Sequence, residues 1–83
     1  MMPIQDLLHR IQWDRDFARG DFQLGYYDRL DDRIILVPMA HVHFPQGEHF
    51  SLEVIDDQGA VHTVPLHRVR AVYKDGHCIW YRG

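Results

Sequence analysis

The side chains best suited to chemistry lie in the last third of the chain, where His67 and Arg68 follow Pro65 and Leu66, and Trp80, Tyr81 and Arg82 follow an Asp75-Gly76 pair. Guanidinium groups can fork phosphate oxygens in charge-assisted pairs, an imidazole with an ordinary pKa of ~6.5 can donate to the same anion, and an indole or phenol ring can stack a base. Residues 69–74 and 77–81 read as strands joined by the dipeptide that a type I′ turn prefers, so one hairpin gathers these groups. A two-residue loop pairs Lys74 with His77, Tyr73 with Cys78, Val72 with Ile79, Ala71 with Trp80, Arg70 with Tyr81 and Val69 with Arg82. Alternation then puts Val69, Ala71, Tyr73, Cys78, Trp80 and Arg82 on one face, with His67 joining them if the strand reaches back that far. In that register His67 and Arg82 are diagonal neighbours, and a binding site requires them to converge on a solvent-reachable pocket.

Each of these residues also has a plainer structural use. Pro65 can break the strand, leaving His67 to cap backbone groups and Arg68 to face water; on the residues alone this is the better account of the pair. A tryptophan in so small a domain is commonly core. Trp80 is therefore read as partly buried support, Arg82 as ligand-facing, and Tyr81, on the opposite face, as a weaker stacking candidate.

The elements that must position these groups follow from periodicity. Ile4, Leu7, Leu8 and Ile11 recur at helical spacing, with Pro3 at the first helical position, Asp6 in the first turn and His9 with Arg10 in the last. Two to three turns are marginal alone, so this helix must lie on an apolar surface. A polar stretch, 14–21, connects it to a strand in which Phe22, Leu24 and Tyr26 alternate with polar or small residues; Gly25 there marks a bulge or a close backbone approach. After a turn at Asp31 and Asp32, the apolar run 34–37 reads as a strand buried on both faces and ending at Pro38. Residues 39–44 form a turn or a short helical piece, and 45–47 a loop. Alternation resumes at Phe50, Leu52 and Val54, turns at 57–59, and returns through Val61 and Thr63 to Pro65. With no repeat and no linker, residues 1–83 make a single α+β domain: one N-terminal helix packed on a bent antiparallel sheet of five or six strands, or a small partly open barrel. A domain of this size buries only about 60–65% of its unfolded surface, so its core is modest.

The run Pro65-Leu66-His67-Arg68-Val69, the Asp-Gly turn and the closing Trp80-Tyr81-Arg82, taken with residues 8–14 (Leu-His-Arg-Ile-Gln-Trp-Asp) and Tyr27-Asp28-Arg29, resemble the small RNA cyclic-group-end recognition domain family across nearly the whole chain. The resemblance departs at Leu66, where an aromatic is frequent, and in the acidic overall charge. It implies a non-catalytic domain that binds a processed RNA end, a 3′ end bearing a terminal or 2′,3′-cyclic phosphate, in RNA processing or repair. Under it, His67, Arg68 and Arg82 hold phosphate and Trp80 or Tyr81 lies against a base. Trp13, Asp14, Asp28 and Arg29 act as support, with Asp14 or Asp28 fixing the rotamer of Arg68 or Arg82; a salt bridge or a cap explains these carboxylates equally well. RNA is the implied partner, with an RNA-processing protein as a second, and DNA is not expected.

Charge bears on that reading. The net charge of −3 disfavours unspecific attraction to nucleic acid. Its distribution is uneven, because residues 1–59 set five arginines against eleven carboxylates while residues 60–83 set four cations against Asp75 alone. Eight of the nine cations are arginine, which suits forked contact with a short end better than diffuse grip on a long duplex. The seven histidines, with His41, His43 and His49 close together, raise a metal reading, but one cysteine and no ligand spacing leave metal and cofactor sites unexpected. Glycine-rich phosphate loops and the common catalytic signatures are absent. No apolar run approaches a membrane span, and residues 1–8 are too short and polar for a signal peptide, so the expectation is a cytoplasmic protein without a membrane partner. Two rivals stand beside the binding domain: an RNA-end phosphoesterase using His67 as general acid or base, and a protein-interaction module that binds no RNA.

Overall fold

The structure, a computed structural model, describes residues 2–83. Helix α1 (Ile4–Trp13) buries Ile4, Leu7, Leu8 and Ile11, the stripe that the periodicity requires. Pro3 stands just outside the helix in extended conformation, and its carbonyl accepts from the backbone N–H groups of Asp6 and Leu7 at 3.1 and 3.2 Å. At the other end Asp14 leaves the helical conformation, and its Oδ1 accepts from the N–H groups of Asp16 and Phe17, which turns the chain out of the helix.

Seven strands follow: β1 (Phe22–Asp28), β2 (Arg33–Pro38), β3 (Val42–His43), β4 (Ser51–Ile55), β5 (Val61–Pro65), β6 (Val69–Lys74) and β7 (His77–Tyr81). They form two antiparallel sheets, one of four strands in the order β2-β1-β6-β7 and one of three in the order β3-β4-β5. The α+β class holds. The single five- or six-stranded sheet and the barrel do not, because the chain leaves one sheet and enters the other through two sharp corners that interrupt the ladder.

Both corners use one device. Val37-Pro38-Met39-Ala40-His41-Val42 and Val64-Pro65-Leu66-His67-Arg68-Val69 each end a strand on an extended proline, make one 3₁₀ turn, and start the next strand. The prolines have nearly the same dihedrals (φ −61°, ψ 141° and 143°), and each turn closes with the Val42 or Val69 N–H on the carbonyl of Met39 or Leu66. Proline has no N–H to extend a ladder, and its fixed φ leads directly into the turn. A short pattern thus recurs where no repeat was expected.

The core lies between the sheets and the helix. Leu24, Val69, Val72 and Trp80 of the larger sheet meet Leu52, Val54 and Val64 of the smaller and the apolar stripe of α1. Only one face of the four-stranded sheet is covered. Strand β2 therefore does not bury both faces: Val37 packs on the core, while Ile34 and Leu36 on the other face remain 47% and 52% exposed.

Two irregularities set which side chains face where. Asp75 and Gly76 take positive φ (52° and 82°), and Lys74–His77 and Tyr73–Cys78 pair as the tight turn dictates. Ile79 then stands outside the ladder, and beyond it the pairs are Val72–Trp80 and Ala71–Tyr81, not Val72–Ile79 and Ala71–Trp80. The Arg82 N–H donates to the Arg70 carbonyl at 2.7 Å, so Arg82 lies opposite Arg70 and not Val69. A one-residue slip reverses every facing position that follows it, and here it takes Trp80 to the core side with Val72. The second irregularity lies where β6 meets β1: Gly25 pairs with Ala71 and Tyr26 with Val69, leaving Arg70 as the extra residue. Gly25 also serves a close approach, since a Cβ there would sit 3.1 Å from Leu36 Cδ2 and 3.3 Å from Ile34 Cγ2.

Candidate functional site

His67 and Arg68 lie on the 3₁₀ turn of the second corner, not on a strand. The turn is held from three sides. Its first N–H, from Leu66, donates to the Phe50 carbonyl at 2.9 Å; the Leu66 side chain packs on the core; and Arg82 Nη2 donates to the carbonyls of Leu66 and Val69, both at 2.8 Å. A single guanidinium nitrogen thus ties both ends of the turn to the last strand. His67 is exposed and Arg68 half-buried, and among the described residues no carboxylate pairs with either.

Arg82 is itself supported from below. Its guanidinium carbon lies 5.1 Å from the centre of the Trp80 ring, and Trp80, only 6% exposed, donates its indole N–H to the Met2 carbonyl at 2.7 Å. Trp80 is therefore a floor of the site, locked to the start of the chain ahead of α1. Tyr81 is 59% exposed and paired with Ala71 on the opposite face of the sheet.

Arg70, the extra residue of the β6 irregularity, lies opposite Arg82 along the backbone and turns its side chain towards Tyr27. Its Nη1 donates to the Gly83 carbonyl at 3.4 Å, and its guanidinium lies over the Tyr27 ring, 5.8 Å from the centre. The Tyr27 hydroxyl donates to Asp32 Oδ1, and this bond with partial desolvation pushes the phenol above its ordinary value of 10, against the opposing charges of Arg29 and Arg70. Among the described residues the Nε atoms of Arg70 and Arg82 are buried without a hydrogen-bond partner, and neither guanidinium has an Asp or Glu side chain in ion-pairing distance. An arginine with no Asp or Glu side chain beside it keeps charge available to an external anion. Arg70 is absent from the sequence reading because regular alternation assigns it away from Arg82; only the slip in register brings the two strands' arginines opposite each other.

The supporting residues are placed elsewhere. Asp14 pairs with Arg10 at 3.4 Å and accepts the two N–H groups at the end of α1, so neither Arg68 nor Arg82 is its partner. Those bonds, led by the one from Phe17, hold its carboxyl below the ordinary 3.8. Trp13 is 71% exposed beside His9, with ring centres 6.3 Å apart. Asp28 accepts from the Leu30 N–H and caps the turn after β1, and Arg29 lies exposed in that turn.

Three surface grooves are lined by other residues, and none of these three takes in His67, Arg68 or Arg82. His67 and Arg68 stand on the corner turn, and Arg82 ties that turn to the end of β7. One groove, of about 930 Å³, runs between α1 and residues 44–49 and reaches Leu66 at the base of that corner. His43 pairs with Glu53 at 2.9 Å and His62 with Asp56 at 2.8 Å, and no three potential metal-ligating groups converge among the described residues.

No curated protein and no solved structure matches the chain. A family model does: the MJ1316 RNA cyclic group end recognition domain matches residues 1–82, with the corner turn and the Trp80–Arg82 strand end both inside the match. The chain belongs to that family.

Proposed function

We propose that the protein binds an RNA end carrying a 2′,3′-cyclic or terminal phosphate and leaves it chemically unchanged. His67 and Arg68 reach the phosphate from the second corner, Arg70 adds charge beside them, and Arg82 holds the turn in the shape that presents them. The observation that carries the reading is the stapled corner itself, which carries an imidazole and a guanidinium with no carboxylate paired to either among the described residues. A rigid display loses little side-chain and backbone freedom on binding, so a small contact can be selective. The family match supports RNA as the partner.

Hydrolysis of a cyclic phosphate needs a base for water and an acid for the leaving oxygen. His67 supplies one such group, and Arg68 beside it on the turn carries a guanidinium, which does not exchange protons near neutrality. Recognition therefore accounts for the corner better than turnover does. On this reading the setting is RNA processing or repair, with a processing protein as the other partner.

The test is a titration with short RNAs identical except for a cyclic phosphate, a 3′-phosphate or a 3′-hydroxyl, at two salt concentrations, with the RNA recovered and analysed afterwards. Tighter binding of the phosphate-bearing ends, a shallow salt dependence from few phosphate contacts, and unaltered RNA support the proposal. Conversion of the cyclic end, lost in His67→Ala, makes the protein an enzyme. Equal indifference to all three ends refutes RNA-end binding.

A further inference from the structure

The face of the four-stranded sheet turned away from α1 carries a tyrosine on each of three neighbouring strands: Tyr27 on β1, Tyr73 on β6 and Tyr81 on β7. Their placement on one face follows from register. Leu24 and Val72 pair on the core side, so Gly25 with Ala71 and Gln23 with Tyr73 point the other way; Tyr81 joins Ala71 across the β7 slip, and Tyr27 lies two residues beyond Gly25. Between the rings the floor is low, being made of Gly25 and Ala71, and Ile34 and Leu36 wall it on the β2 side. We propose that this uncovered face is a stacking platform for the single-stranded RNA that leads into the bound end, with Tyr81, the Arg70–Tyr27 pair and Tyr73 as rests for successive bases.

The proposal deepens the RNA-end reading and rests on it for the direction of the strand. Continuity gives that direction. Arg70 is two residues from Arg68 and lies opposite Arg82, so the platform begins where the corner ends. Tyr73 is three residues further along β6, roughly 10 Å at about 3.3 Å per residue. A single nucleotide held at the corner therefore cannot cover Tyr73, whereas two or three nucleotides can.

Chemistry favours a polyanion with flat bases over the other occupants of such a face. Arg70 lies over Tyr27 and pairs with no Asp or Glu side chain among the described residues, so a base inserted there meets both a π face and a cation. The acidic groups at that end are already engaged: Asp32 with the Tyr27 hydroxyl, Asp31 with Arg33 at 3.6 Å, and Asp28 with the Leu30 N–H.

The test compares a nucleoside 2′,3′-cyclic monophosphate with a tetranucleotide ending in the same group, on the wild type, Tyr73→Ala and Tyr73→Phe. The tetranucleotide should bind at least tenfold tighter than the mononucleotide. Tyr73→Ala should remove about tenfold of the tetranucleotide affinity and none of the mononucleotide's, and Tyr73→Phe, which keeps the ring, should bind like the wild type. A tetranucleotide no tighter than the mononucleotide, or an unaffected Tyr73→Ala, overturns the platform while leaving end binding intact. Tetranucleotide affinity that is sensitive to Tyr73 but indifferent to the terminal group keeps the platform and refutes the end reading. Self-association of the protein that Tyr73→Ala abolishes assigns the face to a second copy and also overturns it.

Discussion

Arg82 and Arg68 have the same charge and different work. Arg82→Ala removes two hydrogen bonds from a charged donor to backbone carbonyls and the cover over Trp80, so it should lower both stability and end affinity. Hydrogen bonds to charged groups contribute about 1.5–3 kcal/mol, so a reduced midpoint in urea unfolding is expected, and release of the turn should weaken end binding with it. Arg68→Ala should weaken binding to a similar degree while leaving that midpoint unchanged, because its guanidinium pairs with no carboxylate among the described residues. A stability loss in Arg68→Ala, or none in Arg82→Ala, contradicts this division. The sequence shows both arginines near one hairpin, but not which one faces inward. That depends on Ile79 standing outside the ladder, and the slip is driven by Trp80 reaching an apolar interior that no local pattern reveals.

The helix and the turns follow from local rules, and their failures should be local as well. Four apolar residues at helical spacing specify α1, and Asp75-Gly76 specifies a hairpin turn because both must take positive φ. What the sequence does not reveal is the split into two sheets: Pro38 and Pro65 read as strand ends, while the change of sheet at each is a matter of packing. The hairpin of β4 and β5 offers a pH test. His62, and then the N–H groups of Ala60 and Gln58, hold the Asp56 carboxyl below its ordinary 3.8. A depressed carboxyl contributes stability that is complete above its unfolded value and lost as pH falls through the folded one. Unfolding midpoints should therefore fall between about pH 5 and pH 2, and Asp56→Ala should flatten part of that slope. An unchanged slope in the variant removes Asp56 from the hairpin's support.

Across the molecule, a small core joins two sheets that share little else, and this makes the chain sensitive to single deletions. Leu8 is buried where α1 meets the core, and Leu8→Ala should cost about 2–5 kcal/mol, a large part of the ~5–15 kcal/mol available to a domain. Thermal unfolding measures this, and a shift of only a degree or two would show that the helix is not integral to the core. The uneven charge has a counterpart in the fold: Arg70 at the start of β6 lies opposite Arg82, just beyond β7, with Arg68 on the corner two residues earlier, and on the proposed reading this is how an acidic protein offers a basic site. The most direct measurement is a backbone chemical-shift map with a nucleoside 2′,3′-cyclic monophosphate. Shifts centred on residues 66–70 and 81–83 are predicted. Shifts confined to the groove between α1 and residues 44–49, or none at all, would contradict the assignment of RNA-end binding to this corner.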